Sequence, residues 1–130
     1  MLDIMFRSVL EQDRASIVLC DLNHTIVYMN PAAQKNYVRY GGNNLIGKSL
    51  LDCHNSHSVE MIKKVLDWFA ESTDNNMIYT SRNEKQNKDI YMVALRDEAY
   101  KLIGYYEKQE FRTVESAGFY DFSKSLTGAE

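Results

Sequence analysis

Two short apolar runs, separated by three residues and followed at once by Asn30-Pro31, leave the start of this chain few ways to fold. Ser16-Ile17-Val18-Leu19-Cys20-Asp21 and Thr25-Ile26-Val27-Tyr28-Met29 are rich in β-branched residues, and Leu22-Asn23-His24 lies between them as a turn. The pattern predicts a hairpin. Asn30-Pro31 then starts a helix by a clear mechanism. The Asn side-chain oxygen can accept from the free amides of the first turn, and proline at the first helical position gives up no N–H that a helix needs. Ala32, Ala33 and Tyr37 continue the helix, and Gly41-Gly42 stops it.

The rest of the chain falls into order around this unit. Leu2, Met5, Phe6, Val9 and Leu10 recur at helical spacing, with Arg7, Glu11 and Asp13 elsewhere, so residues 2–13 predict an amphipathic helix. Its apolar stripe must cover something, either the sheet of the same domain or the stripe of a second copy. After Gly47, Leu50 and Leu51, the polar run His54-Asn55-Ser56-His57-Ser58 offers several caps for a longer helix. Ile62, Val65, Leu66 and Phe69 form its apolar face, opposite Glu60, Lys63, Lys64, Asp67 and Glu71. Three strands follow, at residues 77–81, 90–95 and 102–111, with a polar loop from Asn83 to Lys88 and a connection at residues 96–100. Residues 112–130 form a tail that carries Phe119, Tyr120 and Phe122.

Composition narrows the function classes. At 130 residues the chain fits one domain with one core, and 45% hydrophobic with 25% charged residues is ordinary for a globular protein. The net charge is −3 and the densest basic site is Lys63-Lys64, so the clustered basic footprint of a nucleic-acid binder is missing. Two cysteines, Cys20 and Cys53, are too few for a disulfide scaffold. The N-terminal segment has no signal-peptide pattern and no segment approaches a membrane span, so the expected location is cytoplasmic, away from membrane and nucleic acid.

The element order and lengths resemble the PAS fold over roughly residues 14 to 110. The resemblance is carried by Ile17 to Asp21, by Ile26 to Ala33 with Asn30 before the short Ala-containing helix, by Leu45-Ile46-Gly47-Lys48-Ser49-Leu50, and by the closing strand Leu102-Ile103-Gly104-Tyr105-Tyr106. Gly47-Lys48-Ser49, Cys53-His54 and Ser58 further resemble a PAS subgroup often fused to an uncharacterised bacterial domain. The resemblance implies an α+β fold, a five-stranded antiparallel sheet with short helices on one face, occupying residues 14–111 behind an N-terminal amphipathic helix at residues 1–13. It also implies sensing of a ligand, cofactor or partner, with the ligand held between the inner sheet face and the helices.

Strand alternation gives two candidate inward sets and does not choose between them. Candidate liners are Met29, Met61, Met77 and Met92, with Tyr28, Tyr79 and Tyr91; methionines suit an adaptable pocket and equally a filled core. In haem-binding PAS domains of the oxygen-sensing type, a proximal histidine stands on the long helix. Alignment on Ile62 puts Ser58 at that position and His57 one residue earlier. At about 100° per residue, Ser58 points with Ile62 and Val65 toward the core, whereas His57 turns away by more than a right angle. His54 precedes the helix and escapes that objection. Flavin is less favoured, because Leu51-Asp52-Cys53-His54-Asn55 does not match the Asn-Cys-Arg-Phe-Leu-Gln type motif of the light-sensing class. Zinc would draw Cys53, His54 and His57 together with Cys20 or His24, at spacings unlike those of ordinary zinc sites.

No nucleophile elbow, P-loop or dinucleotide motif is present, and Asp97 and Glu98 fall in a polar turn, so an enzyme is not expected. The expected protein is a stand-alone sensory domain. It binds a small molecule or cofactor and signals to an output partner or through a homodimer built on Leu2, Met5, Phe6, Val9 and Leu10. The rival is a ligand-free dimerisation module; a haem-based gas or redox sensor is a further alternative.

Overall fold

The computed structural model describes residues 1–123. Strands β1 (Ser16–Asp21) and β2 (Ile26–Met29) form the expected hairpin. Its turn is built by Asp21, whose Oδ1 accepts from the backbone amides of Asn23 and Thr25, while His24 takes the left-handed conformation at φ 66°. Helix α2 (Pro31–Asn36) and three 3-10 turns lead to α3 (Ser56–Glu71). Strands β3 (Met77–Asn83), β4 (Lys88–Arg96) and β5 (Leu102–Phe111) then complete one sheet of order β2-β1-β5-β4-β3, with every neighbouring pair antiparallel. Both strands flanking the polar loop run further into it than the sequence predicts, leaving a tight turn at residues 84–87.

Asn30 joins the first third of the chain. Its Oδ1 accepts from the amides of Ile17 and Ala33, capping α2. Its Nδ2 donates to the carbonyls of Leu10, Asp13 and Ala15, at 3.0, 3.4 and 2.8 Å. A fully buried amide that satisfies donors and acceptors on three elements is costly to replace, because each abandoned partner stays buried and unpaired.

One sheet face carries the core. Val18 and Cys20 on β1, Ile26 and Met29 on β2, Met92 on β4 and Tyr105 on β5 pack with Ala33, Leu45, Leu50, Ile62, Val65 and Phe69. Gly104 lets β5 approach β1 closely, since a Cβ there would run into the Cys20 carbonyl. Gly47, at φ 91°, turns the chain so that its amide donates to the Ile26 carbonyl and the Lys48 carbonyl accepts from the Ile26 amide.

The far end of α3 is fastened by Arg96. Its guanidinium donates to the carbonyls of Phe69, Ser72, Asn75 and Tyr100 and to the Asn76 side chain. These bonds satisfy a helix C-terminus that has no basic residue of its own in the last turn.

Helix α1 (Leu2–Gln12) buries no residue. Leu2, Met5, Phe6 and Val9 stay exposed, as does Ile4, and Leu10 is half-buried beside Asn30. The stripe does not cover the sheet, the first of the two expected uses. Residues 112–123 contain no helix or strand and expose Phe119, Tyr120 and Phe122; the remainder of the predicted tail lies outside the described residues. Among the described residues no helix is long and apolar enough to cross a membrane.

Asn30→Ala should cost about 2–4 kcal/mol, combining a lost cap with stranded polar groups. Asn30→Asp should cost more despite keeping the capping oxygen, because it sets a carboxylate against three carbonyls. Urea denaturation of both variants tests that order; a milder Asp variant would show that the donor side of the amide matters little.

Candidate functional site

A cavity of about 380 Å³ opens between α3 and the inner faces of β3, β4 and β5. Strand register decides which side chains reach it. Pairing of Met92 with Glu107 and of Ile90 with Gln109 puts these four on one face, together with Ile78 opposite Met92. Ile62 and Val65 close the cavity from α3, and His57, Met61, Thr80 and Ser81 form its exposed rim.

The floor is polar. Glu107 and Gln109 are both buried on β5. The Tyr37 hydroxyl donates to Glu107 Oε1 at 2.8 Å, and Gln109 Nε2 donates to the same oxygen at 3.3 Å. Asn36 Nδ2 in turn donates to Gln109 Oε1. Burial, reinforced by Glu107, pushes the Tyr37 phenol well above its ordinary value, so it stays a donor. His54 approaches from the end of the third 3-10 turn. Its Nδ1 lies 2.9 Å from the Leu50 carbonyl and must be the donor, since a carbonyl only accepts. Its Nε2 stands 3.8 Å from Glu107 Oε2.

Of the sequence-predicted residues, His54, His57, Ser58, Ile62 and Met92 border this cavity, as does Met61. Tyr79 borders it too, but its ring turns to the outer face, 5.2 Å from the Tyr91 ring, and its hydroxyl donates to Asp89. Met29 and Met77 lie elsewhere. Met29 is fully buried against Val18, Ile26, Leu45 and Leu50, and Met77 falls opposite Val93, off the inner face. Tyr28 is likewise outside the lining. His54 and His57 do not cap α3; Asn55 does, its side chain accepting from the Ser58 amide. The sequence does not point to Glu107 and Gln109, because charged and amide residues on an alternating strand signal the solvent face, nor to Tyr37, which reads only as a continuation of α2.

The inner residues fit haem poorly. An Nδ1–H bonded to a carbonyl is what a ligating imidazole needs. Nε2, the atom that would bind iron, however, has the buried Glu107 carboxylate 3.8 Å away. Cys53 is not among the residues lining this cavity; it borders a separate small space with Tyr37, Leu45 and Leu50. Among the described residues, no three His, Cys, Asp or Glu side chains gather as a metal-binding group.

Residues 14–107 match the family model of the PAS domain. The chain belongs to the PAS domain family, whose members are generally sensory or interaction modules rather than enzymes. A PAS domain from Colwellia psychrerythraea superposes with a TM-score of 0.64 at 14% identity, covering 85% of this chain and 97% of that one. A C-terminal domain from Streptococcus mutans gives 0.61 at 20% identity, over 84% of each chain. The Aer2 receptor of Vibrio cholerae, a dual PAS-heme oxygen sensor, gives 0.54 at 15% identity over 76% of this chain and 95% of that one. Comparison with curated proteins gives no match.

Burial pushes the Cys20 thiol up to about 12, and burial with nearby Asp52 and Glu107 also raises Cys53. A raised thiol pKa leaves less thiolate to react. In native protein at pH 8.5, iodoacetamide should therefore leave Cys20 unmodified and label Cys53 slowly, with both reacting fast in urea. Peptide mass spectrometry reads the labelling, and rapid native labelling of Cys20 would contradict its placement.

Proposed function

We propose that this chain is a ligand-sensing PAS domain that takes a small molecule into the cavity under α3 and reports its occupancy through helix α1. The carrying observation is the cavity itself: an apolar chamber with a few convergent polar groups, as small-molecule sites generally are. Its volume lies near the lower end of the roughly 300–1,000 Å³ of such sites, which favours a small ligand over a large cofactor.

A run of direct contacts supports the coupling. Gln109 on the cavity floor accepts from Asn36 at the end of α2. The start of α2 is capped by Asn30, and Asn30 also holds the Leu10 and Asp13 carbonyls at the end of α1. A ligand that favours one arrangement of this set shifts the position of α1 by its differential affinity. The output surface is the apolar stripe Leu2, Met5, Phe6, Val9 and Leu10, through which a homodimer or a separate signalling partner engages.

The exposure of that stripe equally favours the rival reading, a dimerisation module that binds no ligand. Extraction of the purified protein, followed by mass spectrometry, separates the two. A small molecule recovered in proportion to protein, and lost when Ser58→Trp fills the cavity, supports sensing. Ligand-free protein that dimerises whatever small molecules are added supports the rival.

For the surface itself, Phe6→Glu with Val9→Glu should convert a dimer to a monomer in light scattering while leaving the far-ultraviolet circular dichroism nearly unchanged, since neither side chain is buried within the chain. A dimer that survives both changes would move the interface away from α1.

A further inference from the structure

Building on the cavity as the ligand site, we infer that its ligand carries a nitrogen donor head, an amine, amidine or amino-heterocycle, which bridges Glu107 Oε2 and His54 Nε2 beneath an apolar body. The polar floor has its donors already placed. Tyr37 and Gln109 both donate to Oε1 of Glu107, and the Gln109 carbonyl is itself held by Asn36. Among the described residues Oε2 has no hydrogen-bond donor. Facing it at 3.8 Å is His54 Nε2, which in the neutral ring is an acceptor because Nδ1–H is engaged by the Leu50 carbonyl.

Two acceptors thus face each other across a gap too long for a direct hydrogen bond. A nitrogen about 2.9 Å from each spans it, donating one hydrogen to either side. Among the described residues no lysine or arginine lines the cavity, so the carboxylate has no cationic partner among them and favours a head that brings positive charge. Ile62, Val65, Ile78 and Met92 surround the remaining space and call for a compact apolar body. An anionic ligand is rejected by the same carboxylate, and this sets the site's selectivity.

The test is an amide and imidazole NMR titration of the full chain with three probes of one shape: benzamidine, benzoate and benzyl alcohol. Benzamidine should shift the resonances of Ile62, Glu107 and Gln109 and saturate at a concentration about tenfold or more below that of benzoate. Glu107→Gln should weaken benzamidine by about tenfold and leave benzyl alcohol unchanged, as expected for loss of a charge-assisted bond. Benzoate binding as tightly as benzamidine, or benzamidine indifferent to Glu107→Gln, overturns the donor-head inference while leaving the cavity a ligand site. An imidazole spectrum showing His54 protonated on Nε2 at pH 7 overturns it too, because the ion pair would close the gap. If none of the three probes moves a cavity resonance, the ligand-site reading itself falls. Should Glu107→Gln fail to fold, the order of the three probes on the unmodified chain decides.

Discussion

The buried side chain of Asn30 touches five backbone groups on three elements, and the arrangement of the domain around β1 depends on it. An asparagine is the one common side chain of this size that presents a donor pair and an acceptor in a single plane. The acceptor side fixes where α2 begins relative to β1. The donor side fixes where the chain leaves α1 to enter the sheet. Both join at a residue with no exposure to water, where an unmet hydrogen bond has no solvent substitute. The hairpin, the first core helix and the N-terminal helix are therefore set against one another by a single amide.

That same residue explains why so much of the architecture was legible in the sequence. Asn30-Pro31 is a local signal with a local cause, and it falls where two apolar runs end. The long helix was legible for a similar reason, since Ile62, Val65 and Phe69 repeat at helical spacing and are the very residues it buries. The PAS family match over residues 14–107 spans these landmarks and most of the closing strands.

The site was less legible, because strand parity is invisible until partners are known. On β5, Tyr105, Glu107 and Gln109 share the inward face; sequence alone gives no reason to turn a glutamate inward. On β3, a bulge leaves Thr80 between the pairs Tyr79–Tyr91 and Ser81–Ile90, so a period of two breaks within the strand. Met77 and Tyr79 precede the bulge and pair with Val93 and Tyr91, so their side chains lie on the face opposite Met92, and nothing in β3 itself says which of its faces turns inward. His54, by contrast, could be picked out as a residue preceding the helix, but its partners could not. They come from a 3-10 turn and from β5, far apart in sequence.

The cluster around Arg96 gives the long helix unequal ends. Near Phe69 and Ser72, α3 is tied to the loop and to β4 by several charged hydrogen bonds, whereas its first turn is held by the single cap from Asn55. A helix of 16 residues is a rod of about 24 Å. The anchored end packs beside the core around Phe69, while the other end carries His57, Ser58 and Met61 at the cavity mouth, so a rotation about Arg96 would displace the mouth most and that core least.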